Sequence, residues 1–151
     1  METASAQVKS AILLAGLVAD VPVEVHESAA TRDHTERMLV GRGADLRVDG
    51  TVVTLLPAAR LDAADQLVPA DPSSAAFFAS LAAIADEGLL ALDDVCVNPT
   101  RAGAFQVLRR MGARVTLEDQ RIEGGEVVAR VVVAPGSLRG TIIEGPEVPS
   151  L

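Results

Sequence analysis

Apolar and polar positions alternate with two different periods along this chain, and the two periods succeed one another in the same order twice. The first stretch, residues 6–18, is rich in Ala, Val, Leu and Ile behind Ser5, a side chain that suits a helix N-cap. Residues 21–27 are β-branched and alternating, with Pro22 near the start, and predict a strand. Residues 33–41 return to helical spacing and run into the Gly41/Gly43 pair, a stop signal. Residues 45–48 and 51–56 predict a hairpin with Asp49-Gly50 as its two-residue turn signal. The order then recurs: a helix over 72–85, a strand over 89–97, a helix over 101–111, and strands over 114–118 and 129–134. Glu123-Gly124-Gly125 falls in the tip of the longer second hairpin.

Residue identities repeat as well as patterns. Thr31-Arg32, Met38-Leu39 and Gly43-Ala44 each lie 69 residues before Thr100-Arg101, Val107-Leu108 and Gly112-Ala113, and Ser5 maps to Ser74 by the same offset. Matches that share one offset and keep their order predict a duplicated α/β unit. Proline opens the second unit at Asp71-Pro72-Ser73, where the first helical position tolerates it. Val148-Pro149-Ser150 has the same shape, so the chain reads as two whole units followed by the threshold of a third helix, and truncation is the expectation.

Composition narrows the partners. Hydrophobic residues make up 49% of 151, enough for a globular core, yet the only aromatics are three Phe. Such a core must be Ala, Val, Leu and Ile, and base-stacking platforms are excluded. The net charge of −8 repels phosphate backbones and anionic lipid, so neither nucleic acid nor membrane is expected as a partner. The apolar run over 11–19 is too short for a bilayer span, and the opening lacks a clean signal cleavage site, which predicts a cytoplasmic protein. Cys96, the single cysteine, excludes an internal disulfide and cysteine-based zinc sites, and its apolar surroundings predict a buried structural thiol.

A series of motifs carries a family resemblance: Ser5-Ala6-Gln7-Val8-Lys9-Ser10-Ala11, Thr31-Arg32-Asp33-His34-Thr35-Glu36-Arg37-Met38-Leu39, Asp71-Pro72-Ser73-Ser74-Ala75-Ala76-Phe77-Phe78, Asn98-Pro99-Thr100-Arg101 and Leu108-Arg109-Arg110-Met111-Gly112-Ala113. In order and spacing they resemble the bacterial 5-enolpyruvylshikimate-3-phosphate synthases, over essentially the whole chain. The resemblance implies the enolpyruvyl transferase fold, α/β with repeated βαβαββ units, of which this chain would hold two of the family's six. Residues 1–70 would be a unit of the first lobe and 71–151 a unit of the second, with Asp71-Pro72 near the crossover. It further implies transfer of the enolpyruvyl group of phosphoenolpyruvate to shikimate 3-phosphate, without metal or organic cofactor.

On this resemblance Ser5, Ala6 and Gln7 fall in the shikimate 3-phosphate site at a helix N-terminus, where free N–H groups and the dipole favour phosphate. Arg32 falls on a phosphate-contacting position, for which a guanidinium suits. The plainer readings are that Ser5 is only a cap and that Arg32 is a solvated residue paired with Asp33 or Glu36. Arg101, the repeat equivalent of Arg32, is given no such role.

His26 and His34 lack a nucleophile arrangement and are assigned none; Asp86-Glu87 and Asp93-Asp94 read as solvated loop pairs, and Gly124-Gly125 is too short for a phosphate loop. No catalytic residue is expected here, because the family's proton acceptor would follow Leu151 and its other ligands lie outside the chain. A fragment inactive by itself, needing the missing flanking segments, is therefore the leading expectation. The alternatives are a fragment of the UDP-N-acetylglucosamine enolpyruvyl transferase and a non-catalytic two-unit binding module.

Overall fold

A computed structural model describes residues 1–57 and 60–151, which fall into two compact units, Met1–Gln66 and Leu67–Leu151. In the first, α1 (Ala6–Ala19) leads to β1 (Val23–His26), α2 (His34–Val40), β2 (Leu46–Asp49) and β3 (Val52–Leu55). The last strand lies between the other two, in the order β1-β3-β2, and both pairings are antiparallel. Strand β3 alternates in burial, so that Val53 and Leu55 meet Leu13 of α1, Leu39 of α2 and Val25 of β1 in a small aliphatic core. Gly16 lets α1 press onto β1: a Cβ there would stand 2.1 Å from Val23 Cγ2.

The second unit runs α3 (Pro72–Ala83), β4 (Leu90–Cys96), α4 (Gly103–Met111), β5 (Arg114–Glu123) and β6 (Glu126–Ala134), followed by a 3-10 segment, Gly145–Ser150. Its sheet has the order β4-β6-β5, again antiparallel with the last strand central. The seam on α3 is Ala75, Ala79 and Ala83, four residues apart, and it packs with Phe105, Leu108, Val131 and Val133. Phe77, Phe78, Leu81 and Ile84, on other faces of α3 and at its end, remain exposed.

The duplication reaches individual hydrogen bonds. At the end of α2, Gly43 N–H donates to the Val40 carbonyl and Ala44 N–H to the Leu39 carbonyl, both at 3.0 Å; at the end of α4, Gly112 donates to Arg109 and Ala113 to Leu108, at 2.9 and 3.0 Å. Both are Schellman closures, and donors and acceptors alike are 69 residues apart. The glycines take the positive φ that this motif needs, 83° and 111°.

Several sequence expectations shift. The loop of the first hairpin is Gly50-Thr51, one residue later than the Asp49-Gly50 signal: Asp49 pairs with Val52, and Gly50 alone takes positive φ, as the first position of a II′-type turn does. The second hairpin is longer in its strands rather than in its loop. Glu123 pairs with Glu126 across Gly124-Gly125, and a bulge at Asp119 (φ 50°) carries the ladder through a polar, exposed stretch that broke the alternation. Asp93-Asp94 belong to β4, at its own bulge, where Arg130 and Arg121 pair with them, so they are not a loop pair. Val148-Pro149-Ser150 lie inside the 3-10 segment.

The offset match of Ser5 with Ser74 does not equate two caps. Ser5 caps α1, accepting from Val8 N–H, whereas α3 is capped by Asp71, and Ser74 sits in its first turn. The Asp71 carboxylate accepts from Ser73 and Ser74 N–H, from the Ser74 hydroxyl at 2.9 Å and from Arg101 Nη2 at 3.0 Å. These partners, the Ser74 hydroxyl foremost, hold its pKa below the ordinary 3.8. A depressed carboxyl pKa contributes stability above the unfolded value and loses it as pH falls through the folded one. Asp71→Ala is therefore expected to cost about 1 kcal/mol at neutral pH. In urea titrations followed by circular dichroism, the gap to wild type should close as pH drops below 3.8.

Candidate functional site

The N-terminal turns of α1 and α2 enclose a cleft of about 460 Å³, lined by Ala6, Gln7, Ser10, Ala11 and Leu14 from α1 and by Arg32, His34 and Thr35 at the start of α2. Ser10 and Thr35 meet across it, their hydroxyl oxygens 2.7 Å apart. Ala6 and Gln7 are the first two helical residues, so their N–H groups have no intrahelical acceptor, and the positive end of the α1 dipole faces whatever enters there.

Of the four residues singled out from sequence, Ala6, Gln7 and Arg32 line this cleft together, although a strand separates them in the chain. Ser5 stands at its edge as the cap of α1 and is not among the lining residues. His34, assigned no role from sequence, does line the cleft. His26 does not: its ring is exposed and bonded to Glu24.

Arg32 is exposed, and among the described residues no carboxylate pairs with it. The two acids that would have made it an ordinary surface pair are engaged elsewhere. Asp33 accepts from Arg37 Nε at 2.8 Å, and Glu36 holds Lys9. The repeat equivalent differs. Arg101 donates to Asp71 Oδ1 at 3.0 Å and to Ser73 Oγ at 2.7 Å, so its guanidinium is committed to the carboxylate that caps α3. One Thr-Arg step thus presents a free cation beside a helix N-terminus, and the other does not.

A larger cleft of about 660 Å³ lies around Arg110, Thr141, Ile142, Glu144 and Glu147. Its only cation among these is already held: Arg110 grips Glu147 through both carboxylate oxygens, at 2.6 and 3.1 Å, and this hydrogen bonding raises its pKa further. The pair secures the 3-10 segment to α4 and leaves no free positive charge among the lining residues. Cys96 is buried, and burial pushes its thiol pKa up, as suits a structural thiol and not a nucleophile.

Sequence reasoning missed what lies behind the cleft. Lys9 is 1% exposed, and its ammonium bridges Glu27 Oε2 at 2.9 Å and Glu36 Oε1 at 2.6 Å. Glu27 Oε1 also accepts the Thr31 hydroxyl. Burial pulls the Lys9 pKa down, but the bonds and charges of Glu36 and Glu27 outweigh it, and the pKa lies above the ordinary 10.5. The signal was available: Lys9 falls on the buried stripe of α1 with Leu13 and Gly16, where a lysine needs a carboxylate partner.

Two three-stranded antiparallel sheets, each with its pair of helices and the same element order, define a repeat-built α/β protein. Within that class, the model of the family described as EPSP synthase (3-phosphoshikimate 1-carboxyvinyltransferase) matches residues 1–143. The chain is 51% identical over its whole length to the 3-phosphoshikimate 1-carboxyvinyltransferase of Desulforudis audaxviator, covering 35% of that protein. It is 48% identical to that of Roseiflexus castenholzii, over 98% of this chain and 35% of the relative. The structure superposes on EPSP synthase from Acinetobacter baumannii with a TM-score of 0.89 at 45% identity, over 97% of this chain and 34% of that one. The chain belongs to the EPSP synthase family. It spans about a third of the length of the relatives it matches. No helix among the described residues is long and apolar enough to cross a membrane.

Proposed function

We propose that this chain is part of a cytoplasmic 3-phosphoshikimate 1-carboxyvinyltransferase, which moves the enolpyruvyl group of phosphoenolpyruvate onto shikimate 3-phosphate in the route to aromatic amino acids. In this reading the unit at 1–70 belongs to the first lobe and the unit at 71–151 to the second, and the first unit holds the phosphate of shikimate 3-phosphate. The observation that carries it is the unpaired Arg32 guanidinium in one cleft with Gln7 and the α1 N-terminus. The Ala6 and Gln7 N–H groups and the helix dipole receive the phosphate, and Arg32 supplies the opposing charge through bidentate hydrogen bonds. Ser5 keeps the first turn of α1 formed, and the Gln7 amide is within the same cleft to bond a ring hydroxyl.

In this reading neither proton transfer nor the main grip on phosphoenolpyruvate is assigned to the cleft residues, His34 included, although the Gln7 amide can also bond an enolpyruvyl oxygen. Those tasks fall to other parts of the enzyme, and the chain alone is proposed to be inactive. The relatives named above support this reading over a nucleotide-sugar enolpyruvyl transferase, since both curated ones bear the shikimate enzyme's name.

In a full-length family enzyme carrying this segment, Arg32→Ala is expected to weaken shikimate 3-phosphate binding by about 10- to 100-fold, the worth of a charge-assisted hydrogen-bond pair. The KM for phosphoenolpyruvate should change little. Arg101→Ala is the control, expected to leave shikimate 3-phosphate affinity intact. Steady-state phosphate release against each substrate checks both; an unchanged KM for shikimate 3-phosphate in Arg32→Ala sinks the assignment.

A further inference from the structure

Among the described residues no carboxylate holds the Arg32 guanidinium, so its backbone has the larger share in placing it, and the backbone beside it has an unusual anchor. The preceding residue, Thr31, donates its hydroxyl to Glu27 Oε1. The other oxygen of that carboxylate accepts from Lys9 Nζ at 2.9 Å, and the Glu27 side chain is 3% exposed. Glu27 is itself tied to the sheet, its N–H donating to the Thr51 carbonyl at 2.9 Å. Lys9 also reaches Glu36, on the helix that follows Arg32, at 2.6 Å. The segment carrying Arg32 is thus fixed before, beside and after the arginine. All three points refer to one ammonium on α1, the helix that forms the opposite wall of the cleft.

We propose that Thr31, locked by the buried Lys9–Glu27–Glu36 triad, is a positioning residue that sets where the Arg32 guanidinium stands and so how tightly the cleft holds its anion. The inference rests on the reading that Arg32 binds the phosphate of shikimate 3-phosphate. The second unit supplies the contrast. There the equivalent Thr100 hydroxyl donates to Asn98 Oδ1 at 2.9 Å, only two residues away, and the arginine that follows is consumed by Asp71. Asn98 is itself buried and donates its amide to Glu126 at 3.1 Å, and the arginine that follows is held by the acid that caps α3. Where the arginine must wait in a cleft, the threonine is bound to a buried carboxylate whose Lys9 partner ties α1 to Glu36 of α2. A hydrogen bond to an ionised, buried acceptor is among the stronger ones, and holding a cation in place beforehand lowers the ordering cost of binding.

The test uses a full-length family enzyme carrying this segment, with Thr31→Val, Thr31→Ser, Arg32→Ala and the Thr31→Val/Arg32→Ala double variant. Shikimate 3-phosphate binding is measured by calorimetry and by KM. Thr31→Val is expected to weaken that binding about 5- to 20-fold, at and below the lower end of the roughly 10- to 150-fold worth of a hydrogen bond to a charged group, because the guanidinium is displaced and not removed. The kcat should stay within about twofold and the phosphoenolpyruvate KM should not move, since only pre-placement of Arg32 is lost. Thr31→Ser keeps the hydroxyl and should bind as wild type. In the Arg32→Ala background, Thr31→Val should add nothing, because its effect runs through the arginine.

If Arg32→Ala weakens binding while Thr31→Val does not, the positioning role is refuted and the phosphate site stands. Independent, additive losses from the two substitutions refute it as well, by showing that Thr31 acts elsewhere. If Arg32→Ala itself leaves binding unchanged, the phosphate assignment fails and takes the positioning role with it.

Discussion

Lys9→Met is expected to destabilise the protein by about 3–5 kcal/mol, the usual result of stripping one partner from a buried ionic group. Methionine fills much the same volume, so packing is largely spared and the loss is electrostatic. Two carboxylates would be left facing each other at 8% and 4% exposure, and Glu36 Oε2 already has no hydrogen-bond partner among the described residues. The pH dependence of the wild type follows from the raised Lys9 pKa. Such a group contributes fully below 10.5, and its contribution disappears as pH climbs through the higher folded-state value. Urea unfolding of wild type and variant at neutral pH measures the difference; a loss below about 1 kcal/mol, the range of exposed pairs, would mean that the triad is effectively solvated.

Gly112→Ala is expected to cost about 2–5 kcal/mol, and Gly43→Ala distinctly less, although the two glycines are repeat equivalents. Both have positive φ, which a Cβ penalises by about 1–2 kcal/mol. At Gly112 the added carbon would also stand 2.5 Å from the Ser137 carbonyl oxygen, part of the backbone, and overpacking of that kind adds about 1–3 kcal/mol. At Gly43 its nearest neighbour would be the Asp62 carboxylate at 3.2 Å, the end of a side chain that can swing away. Parallel thermal and urea denaturation of the two variants tests the ranking, and equal losses would show that φ alone governs both sites.

Much of this architecture was legible because pattern and repeat agree. The Gly43-Ala44 and Gly112-Ala113 pairs marked two helix ends, and the same Schellman bonds close both. What was not legible depends on partners far away in sequence. Residues 119–121 look like loop because they are polar, yet a bulge lets the strand run on through them, exposed. Asp71 could be read as a turn residue before proline, but not as the acid that occupies Arg101. The two Thr-Arg steps are identical as letters. Their difference lies in Glu27 and Lys9 on one side and Asn98 and Asp71 on the other. Lys9 stands inside a motif as one polar letter, yet its place on an apolar stripe demands a buried counter-charge.

The alanine seam of α3 changes what kind of substitution this unit can survive. Ala75, Ala79 and Ala83 lose no side-chain rotamers on folding and have almost no volume to give up. Truncation, the commonest source of large core losses, is nearly closed off there: only Ala→Gly remains, at about 1 kcal/mol of helix propensity. The hazard is growth. A valine or leucine at Ala79, which is wholly buried, would push α3 away from β6 and disturb the core along its length. Sequence variation on this seam should therefore be confined to small residues.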